Sequence, residues 1–320
     1  MDEIIDDLLD GDPAIRWQTL RDLTDASEDD VAAERSRVAR EGWGARLLSL
    51  QDDDGRWDAG TYRPGWAHED RPFFDAWTAT HFALQQLADF GIDPDDPAVR
   101  TAIGRVRDQV TWEHDGQRYF DGEVEPCVNG IALRIAAYFG QDGTPIADTL
   151  LAGQLADGGW NCWDQDGTSP SSFHSTICAI EGLWALENTP AGSDAVTAAR
   201  LAAEEYLLER SLLRRKSDGA FIDPRFGMAS YPVRWFYDVL RALDHFRQTR
   251  PADDPRFAEA VALLRAKRLP MGMWQLELTH EGPTLFGFER EAEGFPSRWI
   301  TLRALRVLSW ADAAAPGIRN

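Results

Sequence analysis

Apolar residues along the chain recur every three to four positions in long blocks, and the strict every-second-residue alternation of a half-buried strand is scarce. The blocks are of two alternating kinds. One is apolar through most of its length and opens beside a proline: Pro13, Pro72, Pro126, Pro170, Pro232 and Pro296. Proline suits a first helical position, where its missing N–H would have had no partner. The other kind is amphipathic and ends in leucines or alanines. The pattern predicts six inner helices, near 13–25, 73–89, 127–139, 172–187, 233–248 and 297–311, and five outer ones, near 33–50, 97–110, 146–156, 195–213 and 255–268.

A repeat runs through these blocks. Gln51 to Trp57 and Gln154 to Trp160 both fit Q-x-x-x-G-x-W, and each follows an amphipathic stretch. Arg215 to Phe221 and Arg268 to Trp274 are degenerate copies. Three inner helices begin alike, at Ile15-Arg16-Trp17, Val233-Arg234-Trp235 and Ser297-Arg298-Trp299, and the first and last continue as Thr19-Leu20-Arg21 and Thr301-Leu302-Arg303. Stacked helical hairpins cover their last apolar face only when the first meets the last. The expectation is therefore an all-α chain, an α/α toroid of alternating inner and outer helices, with one domain over 1–312 and a tail over 313–320.

At these turns the chain resembles the terpenoid cyclase and protein prenyltransferase superfamily. The Q-x-x-x-G-x-W turns are similar to the QW repeats of squalene and oxidosqualene cyclases. The stretches Gly122 to Cys127 and Ser172 to Thr176 are similar to inner-helix starts of prenyltransferase β subunits. The resemblance implies a central, aromatic-lined cavity and an enzyme acting on an isoprenoid or other apolar substrate. The chain departs from it in two places. Asp93-Pro94-Asp95-Asp96 matches the cyclase acid D-x-D-D but stands in a short connection before Pro97, where it reads as a helix cap. The zinc ligands of prenyltransferases would fall near 231–238 and 297–301, which hold no Cys or His. A non-catalytic ligand- or protein-binding toroid and a carbohydrate-active α/α barrel stay open as alternatives; the latter would use Asp75 and Asp238 as its carboxylate pair.

Composition narrows the partners. Acidic residues outnumber basic ones 54 to 33, a net charge of −21, which repels phosphate backbones and disfavours nucleic acid. Lys216 and Lys267 are the only lysines, and this Asp-rich, Lys-poor balance points to a halophilic setting in which salt screens self-repulsion. No apolar run reaches the roughly 18 residues that a membrane span needs. An acidic start, Met1-Asp2-Glu3, and three cysteines fit a cytoplasmic protein with reduced thiols.

The candidate chemistry gathers at the inner-helix starts. Cys127, Cys162 and His174, with Cys178 one turn on, have the ligand types of a Zn²⁺ site with a fourth place left open; core thiols and a nucleophilic Cys127 are the other readings. Arg16, Arg234 and Arg298 could clamp a diphosphate or carboxylate, or pair with Asp75, Asp238 or Glu125. Asp238 and Asp75 are candidate acids or bases, and Trp77, Trp163 and Trp235 could face an apolar substrate or a cation.

Overall fold

Helix-forming blocks separated by proline and glycine turns give thirteen α-helices among the described residues, 2–67, 76–163, 169–288 and 292–313 of a computed structural model. In chain order they are α1 (Asp2–Leu9), α2 (Pro13–Leu23), α3 (Glu28–Arg37), α4 (Gly42–Ser49), α5 (Thr80–Asp89), α6 (Pro97–Gln109) and α7 (Pro126–Tyr138). Then come α8 (Thr144–Ala152), α9 (Phe173–Glu187), α10 (Asp194–Leu208), α11 (Val239–Thr249), α12 (Ala258–Ala266) and α13 (Arg298–Ala313). Among the described residues the strands are limited to one two-residue antiparallel pair, β1 (Trp274–Gln275) with β2 (Pro296–Ser297). No described helix is long and apolar enough to cross a membrane.

The six inner helices close a ring. Helix α5 packs on α7, α7 on α9, α9 on α11, α11 on α13 and α13 on α2. The seam from α2 back to α5 is made by the Trp17 indole, which donates to the Phe90 carbonyl (2.8 Å), and by Gln18, which donates to the Asp89 carbonyl (3.2 Å). The outer helices α3, α4, α6, α8, α10 and α12 lie around this ring, and one hydrophobic core runs through it from Ile4 to Leu308. The tightest inner contact is α7 with α9. A Cβ on Gly130 would come within 2.3 Å of the Cys178 carbonyl oxygen, and one on Gly182 within 2.4 Å of the Gly130 oxygen, so only hydrogen fits at either place.

The repeat has a common bonding scheme. The indole N–H of Trp57, Trp160 and Trp274 each donates to a carbonyl ten residues earlier, on Leu47, Leu150 and Leu264 (2.7, 2.8 and 2.8 Å). The backbone N–H of the same tryptophans donates to Thr80, Thr176 and Thr301 at the start of the next inner helix, each at 3.1 Å. Gln51 and Gln154 bond the turn glycine's carbonyl and a carbonyl on the next outer helix, Ala102 or Ala199. In the copy ending at Trp274 the arginine Arg268 takes the glutamine's place, donating to the Gly272 carbonyl (3.0 Å). The copy ending at Phe221 lacks the anchor, and Phe221 is left exposed.

Several boundaries differ from the sequence expectation. The outer helix foreseen over 33–50 is two, α3 and α4, because the chain turns between them to bury Val38 and Ala39. Pro13 and Pro126 do open helices, whereas Pro170 lies three residues ahead of α9, Pro232 seven ahead of α11, and Pro296 sits in β2. Helix α11 starts late because 230–238 is held by other bonds: Ser230 bridges Leu278, and Asp238 caps the helix. Residues 76–79 are likewise non-helical, with the Trp77 N–H on the Pro283 carbonyl (3.0 Å). Pro72 falls outside the described residues. So does 314–320 of the expected tail, whose first residue, Ala313, ends α13.

Candidate functional site

All six inner helices contribute to a central cavity of about 550 Å³. It draws on the C-terminal halves of α2, α5, α7 and α9 and on residues 241–248 and 299–306 of α11 and α13. Six arginines line it (Arg21, Arg134, Arg241, Arg247, Arg303 and Arg306) against three carboxylates (Asp89, Glu181 and Asp244). Tyr138, Trp184, Tyr231 and Trp299 supply its aromatic wall, with Tyr231 and Trp299 stacked at 4.5 Å between centroids. The aromatic lining that the resemblance implied is thus present in part, and arginine, which it did not foresee there, is the most numerous residue type beside it.

Two of these carboxylates, Glu181 and Asp244, are held ionised. Burial alone would raise Glu181 and Asp244, but Arg241 beside the first, and Arg247, Arg303 and Arg306 around the second, bring both below the usual carboxylate range. Glu181 accepts two bonds from Arg241 (2.8 and 2.6 Å), and Asp89 pairs with Arg134 at 2.7 Å. Arg306 pairs with Asp22 at 2.5 Å, yet burial lowers its guanidinium to about 10. Counting Asp22 with the three lining carboxylates still leaves the arginines in excess. Two buried donors on residues that line this space, Arg134 Nε and Trp299 Nε1, have no hydrogen-bond partner among the described residues.

The other end of the ring, where the inner helices begin, is plugged. Trp77 donates to the carbonyl of Glu281 (2.8 Å), Phe236 stacks on His280 at 3.7 Å, and the Arg234 guanidinium lies 5.5 Å over the Trp77 ring. Arg234 is buried with a left-handed φ of 53°, and burial lowers its guanidinium to about 10. Burial also takes His174 down to about 4 and His280 to about 3, so both are neutral at pH 7.

The structure therefore redistributes the sequence candidates. Arg16 turns outward to Glu34 (2.5 Å) and Arg298 to Asp7 (3.1 Å), so neither reaches the central cavity. Arg234 and Trp77 belong to the plug. Trp235 is half-buried, stacked on Phe236 at 3.8 Å, and Trp163 is 82% exposed. Asp238 is no free acid: buried, it caps α11 through the Arg241 N–H (2.7 Å) and accepts the Ser230 hydroxyl (2.7 Å). Asp75 lies outside the described residues, so the carboxylate pair it would form with Asp238 has one member committed to capping. In the D-x-D-D match, Asp96 caps α6 and Asp95 pairs with Arg100 on the surface.

Of the metal candidates, Cys127 and Cys162 come together, with 2.9 Å between their sulfurs, and His174 does not join them. Its Nδ1 accepts the Tyr237 N–H at 2.8 Å, and its ring is boxed by Phe226, Trp235 and Phe236. The third group on the thiols is Glu125, the residue before Pro126. Cys178 is a core thiol, pushed up to about 12 by burial.

The cavity arginines were missed although the sequence carried a sign of two of them. Arg21 and Arg303 are the matched second arginines of the R-W-x-T-L-R segments whose first arginines are Arg16 and Arg298. Five residues of α-helix turn the direction by about 140°, so one arginine of each segment must face away from the other.

No family model matches the chain, and no curated protein does. Solved structures similar to it include the type II terpene cyclase MstE from Scytonema, 18% identical over 94% of this chain and 86% of that one, with a TM-score of 0.44. A protein from Actinoplanes is 16% identical over 94% and 89%, with a TM-score of 0.46. A variant of MstE in complex with geranylgeranyl dihydroxybenzoate is 18% identical over 94% and 86%, with a TM-score of 0.43. Each is a likeness of helical fold.

Proposed function

We propose that the central cavity takes an anionic amphiphile of the isoprenoid class, and that the protein is an enzyme promoting loss of its charged group. The observation that carries this reading is the six-to-three excess of arginine over carboxylate around a cavity of about 550 Å³, inside a chain of net charge −21. An acidic protein that concentrates arginine on one concave surface gains from that arrangement when an anion enters. The volume lies within the roughly 300–1,000 Å³ range of small-molecule sites. Arg134 and Trp299 carry buried donors without a partner among the described residues, and the Tyr231–Trp299 pair adds apolar surface to the wall.

The chemistry that this lining favours is heterolysis. When an allylic carbon–oxygen bond breaks, the electron pair leaves with the diphosphate, whose growing charge the guanidinium groups stabilise. The positive carbon left behind is met by aromatic faces. Starting instead by protonating an alkene needs a carboxylic acid, and Glu181 and Asp244 are held as carboxylates.

Prenyl diphosphates of increasing chain length, titrated against tryptophan fluorescence and followed for diphosphate release, test this. Binding at micromolar concentration with release is expected. Arg303, held among the described residues by a 3.4 Å bond to the Ser230 carbonyl and a 3.6 Å pairing with Asp244, is the residue to change. The Arg303→Met variant should bind about ten-fold more weakly, or about 1.4 kcal/mol. Binding without release would overturn the catalytic part and leave a ligand-binding toroid; no binding at any chain length would overturn the whole reading.

A further inference from the structure

The thiols at the plugged end belong to neither the cavity nor its proposed chemistry. Glu125 is the residue before α7, Cys127 the second residue of that helix, and Cys162 sits in the loop before α9. One carboxylate oxygen and two sulfurs lie within 4.8 Å of one another. The loop is pinned: the Trp160 N–H is on Thr176, the Asn161 amide donates to the Pro170 carbonyl (2.8 Å), and the Cys162 N–H donates to Ser175 Oγ (3.2 Å). The Glu125 side is pinned by Asn129, whose side-chain Oδ1 accepts the Glu123 N–H at 2.7 Å. No arginine or lysine pairs with any of the three groups among the described residues. Three ligands that are anionic when they coordinate a metal thus converge with no protein cation to balance them.

We infer that Glu125, Cys127 and Cys162 form a binding site for one divalent transition ion, with Zn²⁺ the best match to two thiolates and a carboxylate. The site does not depend on the reading of the central cavity. Bonds of about 2.3 Å to sulfur and about 2.0–2.2 Å to oxygen set the sulfurs about 3.7 Å apart around a tetrahedral ion. From the present 2.9 Å the sulfurs have less than about 1 Å to move apart. Glu125 and Cys162 border a surface cleft of about 550 Å³ with Val124, Gln154 and Asn161, while Cys127 is buried behind them. The fourth position therefore faces the cleft, open to water or an incoming thiol. Metal binding releases the thiol protons to solvent, with no change in oxidation state.

The full chain, purified without a histidine tag and under reductant, should carry about one zinc, removable by chelator and restored by Zn²⁺. Replacing it with Co²⁺ should give the intense visible bands of a tetrahedral thiolate site, and added 2-mercaptoethanol should shift them if the fourth position is open. Cys162→Ser and the near-isosteric Glu125→Gln should each lower affinity about 10- to 100-fold or more, with unchanged circular dichroism. His174→Ala should keep the metal. No uptake of Zn²⁺ or Co²⁺ by reduced protein, with Cys127 and Cys162 found as a disulfide in air, would overturn the site. Equal loss of metal in His174→Ala would overturn this ligand set.

Discussion

Thr176 shows how much of the repeat rests on one atom. Its hydroxyl is fully buried and accepts the Trp160 N–H at 3.1 Å, as Thr80 and Thr301 do for Trp57 and Trp274. Thr176→Val keeps the shape and strands that N–H, which should cost about 1–3 kcal/mol in urea unfolding. Thr176→Ser keeps the hydroxyl and should lose less. Equal losses would mean that the methyl, not the bond, matters. The glutamine and tryptophan of the two full turns were legible in the sequence because they recur at fixed spacing. The threonine was not, because irregular loops of different length separate it from its tryptophan, 23 residues on in one repeat and 16 in the next.

Among the elements, α11 carries the sharpest departure from the sequence reading. Its sequence fits a helix opening at Val233, yet the helix opens at Val239, with Asp238 as its cap. Asp238→Ala should cost about 1–2 kcal/mol for the lost cap, more if the Ser230 bond goes with it. Asp238→Asn retains an acceptor and should fold and release diphosphate as the parent does. A well-folded Asp238→Asn that binds ligand but releases nothing would restore Asp238 as a reacting group. Inner-helix existence and order were legible because apolar blocks of the right period are long. The starts of α2, α7, α9 and α13 fall within a residue of the expectation, whereas those of α5 and α11 come six or seven residues late; a proline is equally at home in an extended segment such as the one that precedes α11.

For the molecule as a whole, charge is the dominant global property. A net charge of −21 repels itself, and added salt screens that repulsion over a Debye length of about 10 Å at 0.1 M. The buried cavity pairs are screened far less. Thermal stability should therefore rise from low salt to about 1 M KCl, followed by circular dichroism. A melting temperature falling with salt would show that surface pairs such as Arg298–Asp7, which close α1 onto α13, outweigh the repulsion.

The sequence by itself determined the helical class, the alternation of inner and outer helices, the anchored turns, and the meeting of the first and last helices. These follow from local periodicity, turn chemistry and the need to cover an apolar face, all of which are written in short stretches of chain. It also brought Cys127 and Cys162 into one sector. Only the tertiary structure decided which side chains face each other across the ring. Arg16 and Arg21 share a helix, and nothing local says which one looks inward; the packing of α2 against α13 and the end of α5 sets that phase. The packing of 226–237 on the start of α9 likewise turned His174 into its aromatic box and left Glu125 beside the thiols, because the direction of a side chain at a helix start depends on what neighbouring elements leave open.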